Sequence, residues 1–243
     1  MSILSDISGV ALDVASLFMP RTCLACGRVL LENEGSICLA CRYNMPLTNF
    51  SKRRENPVKL LFENTLTVEA ATSMFWFVGG TEWQRIVHNF KYYGRWYFAQ
   101  KMGEWLGEEL KESGNFDDID LIIPIPLHYR RRLRRGYNQS EQLALGIGRK
   151  MGVKCDFRSV RRHLYNDSQT SKQNFERWEN VEDIFEVRSV EKLRGRHILL
   201  VDDVLTTGAT MISCASTILK ACEGDVRISI ATLTVSRRIV EER

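Results

Sequence analysis

Four stretches of the chain are apolar or β-branched without the three-to-four-residue spacing of a helix. They are residues 67–79, Ile119–Pro126, Ile198–Val201 and the alternating run Val226–Thr232. Each reads as a strand, and the continuous runs at 119–126 and 198–201 read as buried parallel strands, which are apolar on both faces. Between them lie segments with helical spacing. Glu82–Tyr92 turns Trp83, Ile86, Val87 and Phe90 to one side, and a second helix is predicted from about Tyr97 to Lys111. A third runs from Asn138, which with Glu141 fits a capping arrangement, to about Gly152. The last carries Met211, Ala215, Ile218, Leu219 and Cys222 on one face and stops at Gly224. Strand–helix alternation of this kind predicts an α/β fold, a mostly parallel sheet with helices on both faces.

The first residues follow another pattern. Ile3, Leu4, Ile7, Val10, Ala11, Val14, Leu17 and Phe18 recur at helical spacing and Pro20 ends the run. With Asp6 and Asp13 inside it and no basic stretch before it, this segment reads as an amphipathic helix rather than a signal peptide. Nothing is long and apolar enough to span a bilayer, so no membrane insertion is expected and a cytoplasmic location is the default. The 243 residues allow one large domain, or a medium one with a small module. A net charge of +4 is only mildly basic, so how the basic residues are distributed says more than their sum.

The run Ile198–Val201 ends in Asp202 and Asp203, followed by the hydroxyl-rich turn Thr206-Thr207-Gly208-Ala209-Thr210 and a helix. In open α/β sheets ligands bind where chain emerges from the carboxyl ends of strands. Backbone N–H groups and threonine hydroxyls at a helix N-terminus favour a phosphate. Paired carboxylates suit sugar hydroxyls or a divalent cation. An ordinary capped turn would explain the glycine and the threonines but leave two consecutive acids without a role. These thirteen residues resemble the phosphoribosyl pyrophosphate (PRPP) motif of type I phosphoribosyltransferases. That resemblance implies that Asp202 and Asp203 contact the ribose as catalytic-site residues. It implies that Thr206, Thr207, Gly208, Ala209 and Thr210 wrap the 5′-phosphate.

Four of the seven cysteines form Cys23-x-x-Cys26 and Cys38-x-x-Cys41, with eleven residues between the pairs. Two such turns bend four thiolates toward one point, the closed shell of a structural zinc site. A module of this size buries little core, so metal must supply much of its folding free energy. Cys26→Ser should then unfold the module without necessarily damaging the remainder. Cys155, Cys214 and Cys222 read as small core residues.

Arg130, Arg131, Arg132, Arg134 and Arg135 place five guanidiniums within six residues, in what reads as a basic loop after the strand at 119–126. Arginine forks match phosphate oxygens, which points to pyrophosphate or a polynucleotide backbone, against a merely solvated loop. Residues 158–180 are polar and basic, with Lys172 and Arg177 among them, and read either as a lid over the ligand or as disordered chain. The four histidines show no ligand spacing and receive no catalytic role.

In order along the chain stand Phe18-Met19-Pro20, the double CxxC, Tyr92-Tyr93-Gly94 and Pro124-Ile125-Pro126-Leu127. Arg135-Gly136-Tyr137-Asn138-Gln139-Ser140, Ser168-Gln169-Thr170 with Arg177 and Asn180, and the PRPP motif follow. Together these resemble the ComF family of competence proteins. After Thr170 the chain reads Ser171-Lys172 where Gly-Leu is common in that family. The resemblance implies an N-terminal zinc ribbon (residues 21–50, after the helix at 1–20), a connector and strand (51–80) and a type I phosphoribosyltransferase domain (81–243). It also implies a link to natural transformation, the handling of incoming single-stranded DNA. The enzyme reading is a glycosyltransferase that moves phosphoribosyl from Mg²⁺-bound PRPP to a nitrogen acceptor the sequence does not reveal. The alternatives are a single-stranded-DNA-binding protein that takes PRPP only as a regulatory ligand, and a scaffold docking a competence helicase or recombination mediator.

Overall fold

A computed structural model describes residues 20–81, 83–86, 96–163 and 184–237. The predicted N-terminal helix lies outside this range, as do Tyr92-Tyr93-Gly94, Ser168-Gln169-Thr170, Lys172, Arg177 and Asn180.

Five strands form one parallel sheet in the order β1-β7-β6-β2-β3. They are β1 (Ala71–Phe77), β2 (Leu121–Pro124), β3 (Lys154–Cys155), β6 (His197–Leu205) and β7 (Arg227–Ser236). A separate antiparallel pair, β4 (Val160–Arg162) and β5 (Phe185–Val187), brackets residues 164–183. The polar stretch expected from 158 onward is therefore strand at its start. Ladder bonds to β5 decide this, and they come from residues more than twenty positions away in sequence.

Alternate residues along the strands feed two cores, as the continuous apolar runs require. Ile122, Leu199, Val201, Ala231 and Leu233 meet α3 (Trp96–Ser113), α5 (Gln139–Met151) and the cysteine module, which holds the short helix α1 (Leu39–Tyr43). Ile123, Ile198, Leu200, Ile228 and Ile230 meet α6 (Ala209–Ala221), the β4–β5 pair and the segment from Phe50 to Val68. That segment, read from sequence as a connector, contains a 3₁₀ turn (Phe50–Lys52) and the short helix α2 (Pro57–Leu60). Asn56 caps α2 and also donates to the carbonyls of Phe50, Arg53 and Ala71, which ties the segment to the edge strand.

Helices α3 and α5 run side by side, and glycine sets their separation. A Cβ on Gly103 would lie 2.2 Å from the Leu143 carbonyl oxygen, and one on Gly146 would lie 2.1 Å from that of Gln100.

The edge of β1 is not left open. The chain leaving the cysteine module runs antiparallel to it through the Leu47–Phe75 bridge, with Thr48 N–H to the Met74 carbonyl (3.0 Å) and Trp76 N–H to that of Pro46 (2.9 Å). Covering an exposed edge in this way blocks strand addition by another chain.

From β2 the chain moves outward to β3 through α5, and from adjacent β6 it moves outward the other way to β7 through α6. The two helices lie on opposite faces, so the β2–β6 boundary is a topological switch point, where open α/β sheets form a crevice. No helix among the described residues is long and apolar enough to cross a membrane.

Candidate functional site

Both acids predicted at the end of a strand lie inside one. The sequence pattern ends that strand at Val201, but β6 continues to Leu205 because β7 pairs with it as far as Leu205–Val235. On its other side β2 stops at Pro124, opposite Val201. Asp202 and Asp203 therefore sit where one neighbour continues and the other has turned away. Asp202 Oδ1 accepts from Ser140 Oγ (2.7 Å) and from the Asp203 N–H (2.9 Å). Thr234 Oγ1 donates to the Asp203 carbonyl (3.2 Å) and holds the strand beneath the carboxylates.

Ser140 reaches Asp202 because Asn138 anchors the first turn of α5. Its Oδ1 accepts from the Ser140 N–H (3.1 Å) and its Nδ2 donates to the Ile125 carbonyl (3.0 Å) at the end of β2. The predicted Asn138 cap is present, and Gly152 ends the helix in left-handed conformation. Glu141 pairs with Arg132 (2.9 Å).

The turn into α6 is built around Gly208, with φ +79°. A Cβ there would also lie 3.3 Å from the ring of Phe62, which is fully buried beneath the turn. Both reasons select glycine. Thr206, Thr207 and Thr210 are exposed around it, Ala209 is half-buried, and the helix start carries no side-chain cap from Gly208. The turn thus presents hydroxyls and backbone N–H groups outward at the positive end of a helix.

The arginine cluster is not a loop. Residues Tyr129–Arg135 form helix α4, because the His128 ring accepts from the Arg130 N–H and Gly136 (φ +81°) closes the other end. Arginine is a good helix former and needs only these two caps to continue. Helical geometry divides the cluster. Arg131 and Arg135, one turn apart, are half-buried, whereas Arg130, Arg132 and Arg134 are exposed. Arg130 lies over the Tyr129 ring at 5.9 Å and Arg132 bonds Glu141, so these belong to the outer face. Arg135 Nη1 donates to Gln139 Oε1 (3.2 Å). Beside Arg135 and Asp203 stands Tyr137, whose hydroxyl burial pushes up to about 12. The structure therefore brings Arg131 and Arg135, but not all five arginines, toward the carboxylates. It adds Tyr137, Ser140 and Arg162, the last on β4 within electrostatic reach of Asp202. Arg162 belongs to the basic stretch 158–180 that the sequence offers as a lid, and the pairing of β4 with β5 fixes its backbone.

The four cysteines meet as their spacing requires. Their sulfurs lie within 4.8 Å of one another and can hold a metal ion such as zinc. Burial pushes the Cys23 thiol up, but backbone N–H groups of Cys26, Cys38 and Ala25 outweigh it and bring it down to about 7. The Cys41 thiol is pushed up by burial and by its sulfur neighbours, as expected where four thiols converge and a divalent cation would accept their negative charge. Glu34, which sequence reasoning overlooked, fixes the module from within. Its buried carboxylate accepts from the N–H groups of Leu31 (2.9 Å) and Leu39 (2.8 Å) and from Arg28 (3.1 Å), and the two backbone bonds hold its pKa below the ordinary value. Cys214 and Cys222 are fully buried, and Cys155 donates to the Ala144 carbonyl (3.2 Å), so these three are core residues.

Residues 133–242 match the phosphoribosyl transferase domain family. The chain is 29% identical over 146 residues to the DNA utilization protein YhgH of Escherichia coli O6:H1, covering 59% of this chain and 63% of that one. It is 27% identical over 130 residues to competence protein F of Haemophilus influenzae, covering 52% and 57%, and 32% identical over 117 residues to competence protein ComFC of Bacillus subtilis, covering 48% and 44%. Each match spans less than two thirds of the relative's own length. The phosphoribosyl transferase domain over residues 133–242 and the similarity to these competence and DNA-utilization proteins support a ComF-family protein.

Proposed function

We propose that this competence-linked, phosphoribosyltransferase-fold protein binds PRPP at the β2–β6 switch point and transfers its phosphoribosyl group to a nitrogen acceptor. One observation carries the reading. The exposed turn Thr206–Thr210 opens α6 directly after two carboxylates on β6, in the crevice the topology creates. The 5′-phosphate would take the N–H groups and hydroxyls of Thr206, Thr207, Gly208, Ala209 and Thr210. Asp202 and Asp203 would accept hydrogen bonds from the ribose hydroxyls, with Ser140 keeping the Asp202 carboxylate in place. Mg²⁺ would arrive with PRPP and neutralise pyrophosphate charge. Arg131 and Arg135, on the inner face of α4, would meet the departing pyrophosphate. Tyr137 stays a neutral phenol at physiological pH and can donate or stack without adding charge.

In the cysteine module the metal would be structural zinc, because four thiolates leave no open coordination position. Replacing it with Co²⁺ and recording the thiolate charge-transfer bands tests that assignment.

Calorimetric titration of the metal-loaded protein with Mg²⁺·PRPP, beside Asp202→Asn/Asp203→Asn, tests the main proposal. Micromolar binding lost in the double variant supports it, and no binding by the intact protein sinks it.

The division of α4 favours a second reading. Arg130, Arg132 and Arg134 face outward with Tyr129, which is 54% exposed, as a surface for the backbone and bases of single-stranded DNA. Neutralising these three should reduce the salt dependence of DNA binding while leaving PRPP affinity alone. DNA binding that survives the triple change removes this reading. Val29, Leu31, Leu39 and Tyr43, exposed on the cysteine module, would be where a helicase or recombination mediator docks.

A further inference from the structure

The cysteine module leaves several of its large apolar side chains in solvent: Val29 is 57% exposed, Leu31 65%, Leu39 66% and Tyr43 90%. Local structure groups them. Leu30 packs against the core, so its neighbours Val29 and Leu31 turn the other way. The two carboxylate oxygens of Glu34 take the N–H groups of Leu31 (2.9 Å) and Leu39 (2.8 Å), which sets these two leucines side by side. Tyr43 follows Leu39 by one turn of α1, while Cys41 between them is buried. The four side chains therefore line one apolar face, and a folded surface that keeps such a face marks a contact.

The hydrogen bonds of the module show which part of the chain arrives there. Thr22 bridges Val29 in antiparallel register, and the Arg21 carbonyl accepts from the Leu30 N–H (2.7 Å). Continuing that register sets Pro20 beside Leu31, one interstrand spacing (about 5 Å) away. The chain before Pro20 thus meets the module at this face.

Residues 1–19 lie outside the described part of the structure, but their sequence suits the position. Ile3, Leu4, Ile7, Val10, Ala11, Val14, Leu17 and Phe18 form an apolar stripe at helical spacing, and no Lys or Arg interrupts it. Gly9 and the β-branched Ile3, Ile7, Val10 and Val14 lower the intrinsic helix propensity, so such a helix depends on packing its stripe against something. Residues 3–18 would span about 24 Å as a helix, whereas the face extends only one helical turn beyond Leu39.

We propose that residues 3–18 dock on the apolar face of their own cysteine module, covering Val29, Leu31, Leu39 and Tyr43. Entry beside Leu31 gives the segment a high effective concentration at this face, which favours it over a second copy. A helicase or recombination mediator that uses the same face must first displace the segment, so the chain carries its own competitor for that partner. The inference stands apart from the phosphoribosyl reading, because neither element belongs to the β2–β6 crevice.

The test is hydrogen exchange on the full-length, zinc-loaded protein, in wild type, Leu39→Ser/Tyr43→Ser and Val10→Ser/Val14→Ser. In the wild type the amides of residues 7–18 should be protected, to an extent independent of protein concentration. Each double variant strips two apolar side chains from one side of the contact and should speed that exchange about 10- to 100-fold. Zinc content and exchange in β6 and β7 should stay as in the wild type. If Leu39→Ser/Tyr43→Ser loses zinc, Val29→Ser/Leu31→Ser repeats the test from the other half of the face without touching α1. Unprotected amides in the wild type overturn the proposal. So does protection that survives the module variants, which would seat the segment elsewhere. Protection lost on dilution would make a second copy the occupant, and protection gained only with phospholipid vesicles would make it a membrane surface; either result also overturns the proposal.

Discussion

The two ends of the parallel sheet are both polar, yet they are built oppositely. At the amino end His197 is buried, with Nδ1 donating to Asp118 Oδ1 (2.9 Å) and Nε2 against Ser229 Oγ (2.9 Å). Asp118 Oδ2 takes Arg227 (2.6 Å), Asp120 Oδ2 takes the His197 N–H (2.7 Å), and Ser229 Oγ also accepts from Ala70 N–H (3.2 Å). Aspartate, histidine and serine thus stand in the order of a hydrolase triad. Ser229 is fully buried and its hydroxyl is engaged on both sides, so it has no path to a substrate. This cluster stitches β1, β6 and β7 together. At the carboxyl end, by contrast, two arginine Nε groups are buried without partners and a threonine-rich turn faces solvent. A saturated polar cluster stabilises, whereas one with donors left over is prepared for a ligand.

The sharpest way to break this contrast is His197→Ala. It removes both ring bonds and leaves a cavity, and should cost about 2–4 kcal/mol in denaturant unfolding. PRPP affinity should not change. A matching loss of affinity would show that the two ends are not separable. Next, Asp202→Asn/Asp203→Asn should leave the melting temperature nearly unchanged while abolishing PRPP binding, because the amide oxygen introduced at position 202 still accepts from Ser140. Unfolding of the double variant would place Asp202 with the structural groups. A smaller effect is expected from Arg135→Met. Removing an orphaned donor should be neutral or stabilise by up to about 1 kcal/mol, with PRPP affinity reduced about tenfold. A destabilised Arg135→Met protein would mean that the Nη1 bond to Gln139 outweighs the orphaned Nε or that the Nε is satisfied in solution.

The subtlest comparison uses two carboxylates and pH. Burial alone would raise the Asp118 pKa, but Arg227 and His197 outweigh it and hold it low, so its stabilisation is present above the unfolded value of about 3.9 and lost as pH falls through the folded one. Glu109 of α3 is raised by burial, partly offset by the Ser51 hydroxyl. Its contribution is present below the unfolded value of about 4.3 and lost as pH rises through the folded one. Unfolding free energies across the acid range should therefore deviate from wild type with opposite slopes in Asp118→Asn and Glu109→Gln. Slopes of one sign would refute this pairing of causes.

Much of this was legible in the chain because it depends on neighbours in sequence. The Ile198–Val201 run, the Asn138 cap, the CxxC spacing and the glycine in the Thr207-Gly208-Ala209 turn each express local rules, and each is found where those rules place it. Two of the errors share a cause. Whether β6 stops at Val201 or continues to Leu205 is decided by β7, and β4 forms because β5 pairs with it. The Arg130–Arg135 run reads as a loop because its charge conceals two adequate caps, His128 and Gly136.

The sequence by itself determined the α/β alternation, the four-sulfur cluster, the two acids before a phosphate-type turn, and through them the resemblance to the ComF family. Each follows from periodicity or from spacings of a few residues. Only the tertiary structure decided that Arg131 and Arg135 turn inward while three other arginines turn out, that Phe62 underlies Gly208, and that Arg162 arrives beside Asp202 with a donor unspent. These depend on packing between residues tens to well over a hundred positions apart. A local pattern carries no information about which distant side chain will share its charge.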